Sequence, residues 1–275
     1  MTTAPFGRVL VVGAGLLGTS VALAVRRRWP AVHLVAADRE RGSHPPFDRH
    51  LGQHDPLPPF DLAVLAVPID AYAPWMARLA AEAPGRLVTD VGSVKRLPHA
   101  LAAAAGLTGY AGGHPMAGGS VPGPSRASAA LFDGKVWFVT ADGATPEARA
   151  AARALADGCG ARVVDIDAAR HDAVVAAISH LPQAVASVLM ATVADAADDA
   201  ALSAAAGGLR DSTRIAEGPA GMWQPVFAAN ADELAPLVRD AARRLAALAD
   251  SLDDPAAVRA LFAAANAGRR RIPPV

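Results

Sequence analysis

The chain has 275 residues and 27.9 kDa, a low mass for its length that reflects small side chains, and this length suits roughly two domains. Lys plus Arg and Asp plus Glu both number 26, so the formal net charge is zero, which excludes a nucleic-acid binder relying on bulk positive charge and an acidic solvating chain. Hydrophobic residues at 52% with charged ones at 19% exclude a mainly disordered chain, and a single cysteine, Cys159, excludes an intrachain disulfide framework and a multi-cysteine zinc site.

Residues 1–7 lack the basic start, apolar middle and small-residue cleavage site of a signal peptide. No stretch reaches ~18 apolar residues free of charge and proline, so no membrane span is expected and a cytoplasmic location is. A β-branched run at 8–12 predicts a strand that ends in Gly13-Ala14-Gly15-Leu16-Leu17-Gly18, followed by a helix over 19–28. A second strand over 32–37 ends at Asp38. The Pro/His-rich stretch 43–59 reads as a loop without a helix. Further strands are expected at 62–67, stopping at Pro68, and at 87–91, 136–140 and 162–166, with a helix over 145–158. Such alternation predicts a parallel, doubly wound sheet. Beyond Asp167 no strand is expected. Residues 172–193 read as helix, and over 234–252 the residues Leu234, Leu237, Leu245, Leu248 and Leu252 fall on one helical face. The sequence therefore predicts an α/β dinucleotide-binding domain over 1–167 and an all-α domain over 168–275.

The glycine pattern has a physical reading because it follows a strand and opens a helix. Gly13 permits the tight turn, Gly15 lets backbone approach a pyrophosphate, and Gly18 lets helix and strand pack closely. The pyrophosphate would meet free N–H groups at the helix start, formed by Leu16, Leu17 and Gly18. Asp38 lies 20 residues after Gly18, at a strand end where a carboxylate accepts from a ribose and repels a 2′-phosphate. That favours NAD over NADP, while the neighbouring Arg39 could pair with a phosphate.

His114, in Gly112-Gly113-His114-Pro115, reads as a residue on an exposed glycine-rich loop, either a turn residue or a general base. Ser93, in Asp90-Val91-Gly92-Ser93-Val94-Lys95, reads alone as a turn hydroxyl. Ser179-His180-Leu181-Pro182-Gln183 interrupts an apolar helix with polar groups. Arg210 and Arg214 flank Asp211, either as surface ion-pair partners or as guanidinium forks for a carboxylate.

Together these blocks resemble the prephenate/arogenate (cyclohexadienyl) dehydrogenase family. The resemblance covers Gly13 to Ser20, Asp61 to Pro68, Asp90 to Lys95 and Gly113 to Gly118. It continues through Ser179 to Pro182, Asp211 to Ala216 and Met222-Trp223 to Asn230, in the family's order. It implies a Rossmann-type N-terminal domain, an all-helical C-terminal domain that dimerises, and NAD-dependent oxidative decarboxylation of prephenate in tyrosine biosynthesis. Arogenate is the alternative substrate. By resemblance His114 accepts the substrate's hydroxyl proton and Ser93 lies near it, also bordering the cofactor, as do Val67 and Pro68. Arg214 binds a substrate carboxylate, and His180, Gln183 and Ser120 border the substrate. The expected partners are a small-molecule substrate and a second copy of the chain, with no nucleic acid and no membrane.

Gln183 stands where many prephenate-preferring relatives carry a second histidine, and Gly119-Ser120 replaces the family's polar-then-acidic pair. A β-hydroxyacid dehydrogenase would share the two-domain plan but needs a lysine in the helical domain, and no lysine follows Lys135. A non-catalytic NAD-binding regulator would need the glycine loop but neither His114 nor Arg214. The few residues after a helix expected to end near Asn266 leave no room for a ligand-sensing domain, so feedback by tyrosine is expected to compete at the active site.

Overall fold

The computed structural model describes residues 3–39, 42–118 and 123–273. β1 (Arg8–Val12) is central, with β2 (His33–Asp38) on one side and β4 (Leu62–Leu65) on the other, and Val9 to Val12 are fully buried. β3 (Arg49–Gly52) lies beyond β2 and β5 (Leu87–Asp90) beyond β4, giving a five-stranded parallel sheet in the order β3-β2-β1-β4-β5. Continuous apolar strands of this kind belong to parallel sheets covered on both faces.

β3 corrects the reading of 43–59 as a loop. Four residues, Arg-His-Leu-Gly, hold no β-branched side chain, and pairing with β2 from Val35↔Arg49 to Asp38↔Gly52 is what makes them a strand. The single parallel sheet also needs correction. β6 (Gly112–Pro115), β7 (Val136–Thr140) and β8 (Arg162–Asp165) form a second, three-stranded sheet in which β6 is antiparallel to β7. A parallel bridge between Val88 and Tyr110 ties the start of this sheet to β5.

α1 (Leu16–Arg28) ends before Pro30, a residue that disfavours helical backbone immediately ahead of it, and Arg26, Arg27 and Arg28 complement the helix dipole in its last turn. α2 (Tyr72–Glu82) buries Tyr72, Trp75, Met76 and Leu79 on one face of the five-stranded sheet, beside α3 (Arg96–Ala104). α1 covers the other face with α4 (Pro146–Gly158), around Val25, Trp29, Trp137 and Leu155. Thr145 caps α4 by accepting from the Ala148 N–H, and Pro146 occupies the first turn, where its missing donor is harmless.

The helical half opens at Asp167, whose side chain caps α5 (Ala168–Val175) by accepting from the Arg170 N–H. A five-residue π-helical segment, Ala176–His180, leads directly into α6 (Leu181–Ala196). Then follow α7 (Asp199–Ser203), α8 (Gly207–Thr213), a 3-10 turn at Arg214–Glu217, α9 (Ala220–Ala229), α10 (Ala231–Ala249) and α11 (Pro255–Arg269). By length and hydropathy the run Ala168–Ala196 is apolar enough to cross a membrane, which the rule of uninterrupted apolar stretches misses. Its buried side nevertheless carries His171, Asp172, His180 and Gln183, the pattern of a helix packed on protein around polar groups. The leucine face of 234–252 is only partly covered: Leu234 is buried, whereas Leu245 and Leu252 are 61% and 69% exposed.

Candidate active site

The nucleotide end is a cradle shaped by missing side chains. Gly13 has φ +97°, and a Cβ there would lie 2.6 Å from the Ala66 carbonyl oxygen and 3.0 Å from Val67 Cγ1. A Cβ on Gly18 would sit 1.9 Å from the Gly13 carbonyl oxygen, so α1 could not pack so closely on β1. At Gly15 a Cβ would meet nothing within 4 Å, which is the open approach a pyrophosphate requires. Gly15, the N-cap of α1, has no side chain to cap the helix start at Leu16 and Leu17, and the first turn has no acidic residue. These features fit a dinucleotide. Asp38 ends β2 and its carboxylate accepts from the Ala14 N–H at 2.7 Å and the Arg39 N–H at 2.6 Å, so it already holds the glycine turn. A carboxylate has about four acceptor sites and can still take ribose hydroxyls. Pro68 and the Arg39 side chain are exposed along the same edge.

His114 is not on an exposed loop. It lies on β6, 8% exposed, and all four residues of that strand are buried. The two glycines before it serve packing. A Cβ on Gly113 would lie 2.4 Å from the Asp90 carbonyl oxygen and 2.9 Å from Trp137 Nε1, and one on Gly112 would lie 2.4 Å from Thr140 Oγ1. A buried ion pair holds the strand to the loop that bears Ser93. Lys95 Nζ donates to Asp90 Oδ2 and to the Gly113 carbonyl, the latter at 2.7 Å. Asp90 also accepts from Tyr72 OH (3.0 Å), Tyr110 OH (2.9 Å), Gly92 N (2.9 Å) and Gly113 N (2.8 Å). Burial pushes the Lys95 ammonium below the ordinary lysine range, against the pull of Asp90. Ser93 is half-buried in the stapled loop.

From the helical half, α5 brings His171 and Asp172 to this strand. His114 Nδ1 lies 2.8 Å from His171 Nε2, and His171 Nδ1 lies 2.7 Å from Asp172 Oδ1. Asp172 accepts in addition from the backbone N–H of Lys95 (2.7 Å) and Arg96 (3.0 Å). Burial would raise its carboxyl, but these hydrogen bonds hold it below the usual carboxylate range. Burial keeps His114 well below the ordinary histidine value, as would a charged His171 beside it, so it is neutral at physiological pH. Asn230 completes the cluster. Its Oδ1 accepts from Arg96 at 3.0 Å, which fixes the amide orientation, and its Nδ2 donates to the Asp172 carbonyl and to His180 Nδ1 at 3.2 Å. Neutral His180 therefore carries its proton on Nε2, a buried donor with no partner among the described residues, and burial pushes its pKa down to about 4. It ends the π-helical segment, a local widening frequent at functional sites.

Gln183 is buried one turn on, its Nε2 3.3 Å from Ser187 Oγ. Arg214 is exposed on the 3-10 turn that packs against α6, and no hydrogen bond joins it to His114 or His180. Ser120, with the Gly119-Ser120 replacement, lies outside the described residues. The structure thus joins His114 and His180 through residues not assigned a role from the sequence: His171, Asp172, Asn230, Lys95 and Arg96. Lys95 and Asn230 fall inside the blocks that carry the resemblance, whereas nothing in the sequence around Arg96, His171 and Asp172 marks them.

Residues 21–165 match the family model described as prephenate dehydrogenase, nucleotide-binding domain, and residues 167–261 match that described as prephenate dehydrogenase, dimerization domain. The chain belongs to the prephenate dehydrogenase family. It is 32% identical over 239 residues to the prephenate dehydrogenase of Lactococcus lactis, a match covering 81% of this chain and 65% of that protein, so it spans just under two thirds of that relative. It is 31% identical to a probable prephenate dehydrogenase of Streptomyces niveus, over 88% of this chain and 68% of the other. Among solved structures, Synechocystis arogenate dehydrogenase superposes with a TM-score of 0.78 at 28% identity, covering 96% of this chain and 100% of that one.

Proposed function

We propose that the protein is an NAD-dependent prephenate dehydrogenase that converts prephenate to 4-hydroxyphenylpyruvate and carbon dioxide. Residues 1–167 would hold the nucleotide, and 168–275 would complete the substrate pocket and pair two copies, in the cytoplasm. The observation that carries the reading is the buried, neutral His114 held against the Ser93 loop, in a chain of this family. Bound NAD supplies the acceptor for the hydride that leaves the ring carbinol carbon. The chain's own residues orient the ring and move one proton. His114 Nε2 takes the hydroxyl proton as the carbinol becomes a carbonyl. Breakage of the bond to the ring carboxylate releases carbon dioxide, and its electron pair restores aromaticity and ends on the ring oxygen. His114 then returns the proton to that oxygen, so no net proton is released. Ser93 orients the hydroxyl, Arg214 on its exposed turn pairs with a carboxylate, and His180 Nε2–H donates to a substrate oxygen. Ser120 and Gln183 border the substrate.

Gln183 favours a second reading, arogenate dehydrogenase. A neutral amide reads the keto acid and the amino acid with less charge bias than a histidine would. Steady-state kinetics with prephenate and arogenate, each with NAD and NADP, decide it. The expected order places prephenate with NAD highest in kcat/KM. Dominance of arogenate establishes the second reading, and turnover of neither substrate overturns both.

A further inference from the structure

The arrangement behind His114 specifies more than a buried histidine. Ionised Asp172 can only accept, so His171 Nδ1 must carry a proton and donate to Asp172 Oδ1. Burial pushes His171 below the ordinary histidine value, so the ring is neutral and its Nε2 holds a lone pair. His114 Nδ1, 2.8 Å away, must then be the donor. The one nitrogen of His114 left to accept a proton is Nε2. Had His114 been free, the tautomer with its proton on Nε2 would compete, and that form cannot act as a base toward substrate.

We propose that His171 and Asp172 are positioning residues for proton transfer at His114: they hold its resting proton on Nδ1, leave Nε2 as the acceptor, and share the positive charge once His114 is protonated. This rests on the dehydrogenase reading given above. It also makes the base depend on domain docking, because His114 belongs to β6 whereas His171 and Asp172 belong to α5. Asp172 is pinned to the nucleotide domain by the Lys95 and Arg96 N–H groups and by Arg96 Nε at 3.3 Å. Arg96 in turn forks onto Asp232 at 2.6 and 2.7 Å. The charged or titratable groups facing the pair are Asp90 and Lys95 from the β5 end, Arg96 from α3, Asp172 beside it and His180 from the π-helical segment. Lys95 takes up the charge of Asp90, and Asp172, which also receives Arg96, is the carboxylate in hydrogen-bond contact with His171 and so the one placed to support an imidazolium.

The test uses His171→Leu, which removes the acceptor, and His171→Gln, whose amide oxygen can replace it but cannot share charge. For His171→Leu, kcat should fall on the order of 10²- to 10³-fold while KM and the NAD dissociation constant stay within about threefold. For both variants the acidic limb of the kcat profile should move to lower pH, because protonated His114 loses a partner that stabilises it. His171→Gln should recover about tenfold of the lost rate. Ring-nitrogen NMR supplies a readout that needs no turnover: His114, assigned with His114→Asn, should carry its proton on Nδ1 in the wild type and on Nε2 in His171→Leu. A wild-type proton on Nε2, or an unmoved acidic limb in His171→Gln, overturns the proposal. If His171→Leu does not fold, the profile of His171→Gln decides. A wild type that turns over neither substrate sinks the dehydrogenase reading, while the NMR result still settles the tautomer.

Discussion

Lys95→Met replaces the ammonium of a fully buried pair with an apolar chain of similar length. The side chains of Lys95 and Asp90 are both 0% exposed. Removing one partner of such a pair costs about 3–5 kcal/mol, because the other charge stays buried without compensation. Asp90 would keep four donors, Tyr72 OH, Tyr110 OH, Gly92 N and Gly113 N, which places the loss at the low end, about 3 kcal/mol. The Gly113 carbonyl also loses the Lys95 ammonium, adding about 1 kcal/mol. A total near 4 kcal/mol corresponds to a fall in Tm of roughly 10 °C for a chain of this size. Urea unfolding at fixed protein concentration, followed by far-UV circular dichroism, measures it. A loss under about 1 kcal/mol would refute the reasoning, since Asp90 would then have to be reached by water or left unstrained by the substitution. Through Asp90 and the Gly113 carbonyl the Lys95 ammonium ties the Ser93 loop to β6.

His114→Asn should fold and bind NAD while kcat falls on the order of 10²–10⁴-fold, and near-normal turnover removes His114 from the mechanism. Asp38→Ser should weaken NAD binding and reduce discrimination against NADP, both read by titration; a wild type that already prefers NADP assigns the choice to Arg39 instead. His180 is depressed from an unfolded value near 6.5 to about 4, so its contribution is complete above pH 6.5 and declines as pH falls toward 4, by about 2 kcal/mol at pH 5. Lowered His114 and His171 act in the same direction, and a urea midpoint unchanged between pH 7.5 and 5 contradicts this. Light scattering at micromolar concentration should give twice the chain mass, and Leu245→Glu on the uncovered face should shift it toward monomer; a wild-type monomer would exclude the dimer.

The strands legible in the sequence are those whose residues state their environment. Val9 to Val12, Leu34 to Ala37 and Leu62 to Leu65 are apolar because both faces of a parallel sheet are covered. β3 and β6 were missed because their identity comes from neighbours. Arg49 to Gly52 form a strand through pairing with β2, and Gly112 and Gly113 do so because Thr140 and Asp90 leave no space for a Cβ. The same composition that reads as a flexible loop is, in β6, the condition for close packing against Thr140 and Asp90.

The catalytic candidates show the corresponding limit. The glycine turn could be read from its place between a strand and a helix, whereas the role proposed for His114 came only through the ordered set of blocks. The groups that act on His114 have no local pattern: His171 is 57 residues away, and Asn230 is 58 residues from the Asp172 carbonyl it holds. Asp172 shows why such groups escape a linear reading. In sequence it is one more acidic residue on an alanine-rich helix, where the bland expectation is a solvated face. In the fold it is fully buried, and its two oxygens collect donors from α5 and from the segment opening α3. A carboxylate can remain charged there only because those donors are present together. Its charge, and through His171 the basic nitrogen of His114, is therefore a property of the two halves of the chain in contact and of neither half alone.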